Sequence, residues 1–337
     1  MKQVHLFTVT SSNEHAMSPI QIRLSMRRKL KSKTVISLFA GAGGLDFGLK
    51  GAGLKIIWAN DFDADSCSTY AKNLGEHIVC GDIKDIHESE IPSADILVGG
   101  FPCQGFSVAN RFRSEDDKRN ELYLEFLRVL RSKKPKWFIA ENVSGIMSLG
   151  GGEVFKMILT DFESSGYRVE YRLENMANFG VPQTRKRVII LGTRNDLPDS
   201  ATLSHPRQTH SKEAEEGLQP WVTMGDALES LSKENVDGDL QSQYARTHRN
   251  FVGHRPTSLH KPSPTILARG NGKGGVNATP HPTEDRRLSV MESAAMQSFP
   301  SDFSFDGAMT SRYRQIGNAV PPRYGFLLGQ VLNSLEG

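Results

Sequence analysis

Thr34-Val35-Ile36-Ser37-Leu38-Phe39-Ala40-Gly41-Ala42-Gly43-Gly44-Leu45-Asp46-Phe47-Gly48-Leu49 reads as an apolar strand, a turn made of glycines and the start of a helix. A short run rich in β-branched and aliphatic residues is a buried strand. A glycine turn between such a strand and a helix is where backbone can approach a ligand, because side chains are absent. The alternation continues outward from this stretch. Residues 55–59, 77–80, 95–101, 137–140 and 187–192 are further apolar runs of strand length, and residues 121–130 repeat apolar positions at helical spacing. From Thr34 to about Thr193 the pattern predicts an α/β domain built on a doubly wound, mostly parallel sheet. Such sheets bind ligands at the carboxyl edge of their strands.

The glycine turn does not match the dinucleotide fingerprint, since the last glycine of Gly-x-Gly-x-x-Gly falls on Asp46. No pyrophosphate cradle is otherwise indicated. Asp61 follows the second strand and Asp82 the third, placing two acids at the ends of successive parallel strands. There they can accept hydrogen bonds from a ribose hydroxyl and an adenine amine, or each can simply cap a helix. Ribose and adenine without pyrophosphate point to S-adenosylmethionine.

Pro102-Cys103-Gln104 follows the apolar run Asp95-Ile96-Leu97-Val98-Gly99-Gly100-Phe101, and Glu141-Asn142-Val143 follows Trp137-Phe138-Ile139-Ala140. A thiol and a carboxyl group thus leave two strands at the same sheet edge. A thiolate with an acid is what an electron-poor aromatic ring needs before an unreactive carbon can be alkylated. A free cysteine is more often a small buried hydrophobe, and that reading suits Cys67 and Cys80. Proline before Cys103 and a polar Gln-Gly after it are poor surroundings for a core residue.

Composition sets the outer bounds. With 337 residues, 38% hydrophobic and 23% charged, the chain has room for one large domain and a smaller one. No apolar run approaches the roughly 20 residues of a membrane span, so a cytoplasmic protein is expected. Three cysteines without metal-ligand spacing fit a reducing compartment and predict no metal site. The net charge of +3 says little about a polyanionic partner. A local basic arm before the first strand, with Arg23, Arg27, Arg28, Lys29, Lys31 and Lys33, is either a phosphate contact or a solvated lead-in. After Asp196 prolines, histidines and glycines dominate and strands are hard to find. Helical periodicity returns at residues 289–297 and 324–332. The expected organisation is a basic extension (1–33), a catalytic cofactor-binding domain (34–194), a loop-rich target-recognition domain (195–285) and a return to the catalytic domain (286–337).

Taken together, these residues resemble the cytosine-5 DNA methyltransferases. Residues 39–45 look like the family's cofactor loop, residues 99–104 like its nucleophile motif and residues 141–143 like its acid motif. Gln183-Thr184-Arg185-Lys186-Arg187 resembles the arginine pair that reaches the target base. Residues 286–300 resemble the hinge motif, and Gln315-Ile316-Gly317-Asn318-Ala319-Val320-Pro321 the closing motif. The ordered set is specific where any one member is not. One departure is visible: Asp61 stands where many members carry glutamate.

The resemblance implies methyl transfer from S-adenosylmethionine to carbon-5 of cytosine in duplex DNA. Cys103 would add to carbon-6, Glu141 would share a proton with ring nitrogen 3, and Arg185 and Arg187 would donate to the base carbonyl and nearby phosphate. The cofactor would be held by Phe39, Gly41, Gly43, Gly44, Leu45, Asp61, Phe62, Asp82, Ile83, Gly100, Pro102, Leu122, Asn318, Ala319 and Val320. Carbon-6 is inaccessible in a stacked duplex, so the nucleotide must be rotated out at a cost of a few kcal/mol. Residues 104–120, with Arg111, Arg113, Lys118 and Arg119, suit a mobile loop that touches phosphates. Arg246, His248, Arg249, His254, Arg255 and Arg269-Gly270-Asn271-Gly272-Lys273-Gly274-Gly275 are candidates for reading bases or holding phosphates. Thr265-Ile266 matches a short family element at the base of such a loop.

A monomer acting on a short cytosine-bearing site, with a companion restriction endonuclease cutting the same site, is the expected setting. Two other readings stand beside it. One is the branch of the family that methylates transfer RNA, whose usual Cys-Phe-Thr element does not occur here. The other is a catalytically silent DNA-binding protein, disfavoured by the presence of Cys103, Glu141, Asp82 and the glycines together. Amino methylation of adenine or cytosine needs two prolines and an aromatic in the slot that holds Phe101-Pro102-Cys103-Gln104.

Overall fold

The computed structural model of the chain describes residues 32–101, 121–215, 217–231, 256–268 and 279–336. Its strands up to residue 194 are β1 (Thr34–Leu38), β2 (Lys55–Asp61), β3 (Ile78–Cys80), β4 (Ile96–Gly99), β5 (Trp137–Val143), β6 (Tyr167–Asn175), β7 (Gln183–Thr184) and β8 (Lys186–Arg194). All but β7 join one seven-stranded sheet in the order β3-β2-β1-β4-β5-β8-β6. β1 to β5 are parallel. β8 runs against both of its neighbours, β5 and β6. The order reverses at β1, which lies between β2 and β4, so the loops after β1 and β4 leave the sheet at its topological switch point.

The apolar alternation along each strand divides between the two faces, as a period of two requires. Ile36, Leu38, Leu97, Phe138, Ala140, Val188 and Ile190 pack on one side under α3 (Glu121–Lys133) and α4 (Glu153–Ser164), which contribute Phe126 and Phe162. Val35, Ile96, Val98, Trp137, Ile139, Ile189 and Leu191 pack on the other. There α1 (Gly44–Gly51) supplies Leu45 and Leu49, and the C-terminal helix Pro322–Ser334 supplies Tyr324, Leu327 and Leu328. Each fully buried Leu, Ile or Phe contributes about 1.5–3 kcal/mol, so both layers hold the sheet edge in place.

The sequence reading missed β6 and took residues 187–192 as one more strand of a parallel series. β6 is YRVEYRLEN, in which apolar and charged residues alternate strictly, the period-two pattern of a half-buried strand, and it lies at the sheet edge where charge blunts further pairing. β6 and β8 are joined through residues 176–185, too few for the helical crossover that a parallel neighbour needs, so they pair antiparallel. Helix α2 (Ala64–Asn73) was also unread, because only Ser66, Cys67, Thr69 and Tyr70 face inward and two of these are polar.

Beyond residue 195, Ala201 and Leu203 still pack in the second layer of the sheet, and the later buried apolar residues share a cluster with the returning chain. Met224, Ala227 and Ile266 pack with Ala42 of the glycine turn and with Leu288, Val290, Met296, Phe299, Phe303 and Ile316. The helix expected at residues 289–297 is Val290–Met296. It is started by Ser289 and Glu292, each bonding the other's backbone N–H.

Candidate active site

Strands β4 and β5 lie side by side, Ile96 against Trp137 through Gly99 against Ala140. The next residue on each strand is Gly100 and Glu141, and here the site is assembled. Glu141 is 9% exposed. One carboxylate oxygen, Oε1, lies 2.8 Å from Arg187 Nε. That contact is an ion pair without hydrogen-bond alignment, so Oε1 has no aligned donor. The other oxygen, Oε2, lies only 2.9 Å from where a Cβ on Gly100 would stand. A side chain at Gly100 would therefore displace the acid's carboxylate. Asn142 Nδ2 donates to the carbonyl of Phe101 at 2.9 Å and so ties the exit of β4 to the end of β5.

Antiparallel pairing places Arg187 opposite Val143, two residues beyond Glu141 on the same face. This register, set by β8 running backwards, is what lets the guanidinium reach the carboxylate. The two arginines expected to act together take different partners, while each stays within electrostatic reach of the other. Arg185 is 1% exposed, and its Nη1 donates to Gly317 O at 2.9 Å and to Ile266 O at 3.3 Å. Burial lowers its pKa to about 9, helped by the charge of Arg187 and opposed by that of Glu141. Arg185 thus faces the carbonyls of two returning segments, while Arg187 faces the acid.

Around the glycine turn, Asp61 receives Gly41 N–H at 2.8 Å on one oxygen and Asp63 N–H at 2.9 Å on the other. Burial raises its pKa, partly offset by these backbone donors. The shorter acid therefore organises the turn, and as a carboxylate it still has lone pairs for a ligand hydroxyl. Phe62, next along, is 72% exposed. Asp82 caps the single 3₁₀ turn Ile83–Asp85 through Lys84 N–H, and Ile83 is buried beneath it. Phe39 has φ 54°, a left-handed conformation uncommon outside glycine. Gly44 opens α1 against the Val320 carbonyl and Ala319, and Leu45 is buried behind it. This joins the cofactor loop to the segment after helix Met309–Asn318, whose last residue, Asn318, is exposed. Leu122 is half-buried against the α3 face of the core.

No atom lies within 4 Å of a Cβ built on Gly41 or Gly81. An open cleft edged by an exposed aromatic ring, two acids and a backbone turn suits a nucleoside with a free ribose. These residues fit S-adenosylmethionine. Pro102, Cys103, the loop 104–120, the basic arm before Ser32, and the candidate DNA-reading residues Arg246, His248, Arg249, His254, Arg255 and 269–275 lie outside the described residues.

Sequence reasoning passed over Asn60 and Gln183. Asn60 is 1% exposed and its Nδ2 donates to Val79 O and Gly81 O, holding the end of β3 beside β2. Gln183 is fully buried, accepts from Ile266 N and donates to Met296 O and Gln297 Oε1. An amide side chain inside an otherwise apolar run, as in Trp58-Ala59-Asn60, was the signal available.

Comparison with known proteins gives a consistent result. The family model described as C-5 cytosine-specific DNA methylase matches residues 33–333. The Type II methyltransferase M.NgoFVII of Neisseria gonorrhoeae is 40% identical over 316 residues, 86% of this chain and 83% of that one. M.BspRI of Lysinibacillus sphaericus, also a Type II methyltransferase, is 38% identical over 85% of this chain and 78% of its own length. Among solved structures, Spodoptera frugiperda DNMT2 superposes with a TM-score of 0.69 at 18% identity, covering 90% of this chain and all of that one, a likeness of fold.

Proposed function

We propose how a chain that belongs to the C-5 cytosine-specific DNA methylase family, and so methylates carbon-5 of cytosine at a specific DNA site with S-adenosylmethionine as methyl donor, carries out the reaction. Cys103 is the nucleophile and Glu141 the acid. The observation that carries this is the Gly100–Glu141 contact together with the Asn142–Phe101 bond. Phe101 is pinned beside the acid, and Cys103 follows two residues later, within about 7 Å of chain.

The Cys103 sulfur adds to carbon-6 of a cytosine rotated out of the duplex, forming a carbon–sulfur bond and pushing electrons toward ring nitrogen 3. Glu141 holds a shared proton at that nitrogen, and Arg187 supplies fixed positive charge beside it. Bound S-adenosylmethionine supplies the methyl group. Loss of the carbon-5 proton then re-forms the double bond and releases the Cys103 thiolate. An unperturbed thiol is only a few per cent ionised at neutral pH, so positive charge near the sulfur raises the reactive fraction.

Arg185 serves by holding the Ile266 and Gly317 segments against β7 and β8. Phe39 to Leu45, Asp61, Phe62, Asp82 and Ile83 hold the nucleoside of the donor, with Gly100, Pro102, Leu122 and residues 318–320 closing its other side. Residues 195–285 read the site, and residues 104–120 close on the DNA. The protein works as a cytoplasmic monomer beside an endonuclease of the same specificity; the naming of its relatives as Type II enzymes supports the companion endonuclease.

Bisulfite sequencing of DNA from a host expressing the protein tests the activity and finds its site. Protection of one cytosine within a recurring short sequence is expected, lost in Cys103→Ser. Unchanged protection in that variant overturns the mechanism, and methylation confined to transfer RNA overturns the choice of substrate.

A further inference from the structure

Beneath the glycine turn, Asp46 is buried to 1% exposure in the first turn of α1. Its two oxygens accept one hydrogen bond each, from Ser37 Oγ of β1 at 2.9 Å and from the Tyr70 hydroxyl of α2 at 2.8 Å. Tyr70 is fully buried, and its hydroxyl also meets His77 Nε2 at 3.1 Å. His77 is half-buried in the turn before β3. A hydrogen-bonded chain therefore runs from the surface at His77, through Tyr70, to a carboxyl group under the loop that takes the methyl donor.

Two contacts connect this chain to the loop. Gly43 has φ +83°, and a Cβ there would stand 2.8 Å from the Tyr70 ring, so the turn rests directly on that ring. Ala40 packs on the same cluster of Ala59, Tyr70 and Leu74. The other charged groups around the chain are Lys50, one turn along α1, which donates to Leu74 O, and Asp61, which holds Gly41 N–H. Among the described residues Asp46 is bonded only by hydroxyls and pairs with no cation. A buried carboxylate without a cation is unfavourable unless a positive charge arrives from elsewhere.

We propose that Asp46 is an electrostatic positioning residue of the cofactor site: ionised beneath the glycine turn, it favours the positively charged sulfonium of S-adenosylmethionine over the neutral thioether of the demethylated product. Tyr70 and His77 connect its proton to solvent. Burial raises the Asp46 pKa to about 6, with the hydroxyls of Tyr70 and Ser37 opposing, and burial lowers that of His77. Near pH 6 the arrival of a cation therefore expels a proton from Asp46, and a neutral ligand leaves that proton in place.

Isothermal titration calorimetry of the full chain without DNA, at pH 6 in two buffers of different ionisation enthalpy, reads this directly. S-adenosylmethionine should release up to about half a proton on binding and S-adenosylhomocysteine close to none. The affinity ratio of the two should rise several-fold between pH 5 and pH 7. Asp46→Asn should abolish the difference in proton release while still binding S-adenosylhomocysteine, and Tyr70→Phe should move its midpoint. Equal proton release by both ligands in the wild-type chain overturns the proposal without reference to any variant, as does an unchanged difference in Asp46→Asn. Binding of neither ligand overturns the assignment of the loop itself, and the proposal with it.

Discussion

Gly100→Ala puts a single methyl group against the carboxylate of the acid. The added carbon would lie 2.9 Å from Glu141 Oε2, and an ordinary contact requires the two to part by about 0.5 Å. The carboxylate has little freedom to retreat, since it is 9% exposed and its other oxygen stands 2.8 Å from Arg187 Nε. Overpacking of this kind costs about 1–3 kcal/mol of stability. The effect on chemistry is larger in proportion. A misplacement of about 1 Å in a reacting group can cost roughly 100-fold in rate, so half that displacement of the acid should lower single-turnover methyl transfer roughly 10- to 100-fold. Rate quench measurements at saturating DNA and cofactor give the rate, and titration calorimetry gives cofactor affinity. Gly100 is also proposed to line the cofactor site, but the added methyl faces the acid, so the rate should fall by a larger factor than the cofactor affinity. A variant with an unchanged rate and weakened cofactor binding would refute this reasoning.

Other outcomes follow from the same geometry. Arg187→Ala leaves Glu141 buried without its cation, which should cost about 3 kcal/mol in urea denaturation and slow methyl transfer at least 100-fold; unchanged stability would show the pair to be dispensable. Two buried groups pull the pH dependence of stability in opposite directions. The Asp46 carboxyl is raised to about 6, so its contribution is complete below about pH 4 and is lost as pH rises through 6. Burial lowers His205 to about 4, so its contribution is complete above about pH 6.5 and is lost as pH falls through 4. Each is worth about 3 kcal/mol across that window. Asp46→Asn should therefore become more acid-sensitive than the wild-type chain, and His205→Gln less so, by denaturation midpoints at pH 4.5 and 7. Parallel curves for all three would contradict both assignments.

The parts of this molecule that were legible in the sequence are those where one local pattern decides one element. The strand, glycine turn and helix of residues 34–49, and the helix begun by Ser289 and Glu292, follow from short-range rules of periodicity and capping. The acid motif could be placed at the sheet edge because Trp137-Phe138-Ile139-Ala140 is too short and too apolar to be anything but a buried strand. Strand β6 alternates apolar and charged residues and was legible as a strand; its place at the sheet edge was not, since only the assembled sheet defines it. The different bonding of Arg185 and Arg187 was hidden for a related reason. Residues two apart at a strand entrance look equivalent, and only the return of Ile266 and Gly317 from 81 and 132 positions away turns one inward. The chain beneath the glycine turn was unreadable too, because Ser37, Asp46, Tyr70 and His77 come together from β1, α1, α2 and the turn before β3.

The central claim is that the Cys103 sulfur bonds transiently to carbon-6 of the target base. Incubating the enzyme and S-adenosylmethionine with duplex DNA carrying 5-fluorocytosine at the methylated position blocks loss of the carbon-5 substituent and arrests the reaction after transfer. Peptide mass spectrometry should then find the oligonucleotide attached to Cys103, methylated at carbon-5, with no adduct in Cys103→Ser. Methyl transfer to natural DNA without any cross-link to the fluorinated strand, or a cross-link at Cys67 or Cys80, would contradict it.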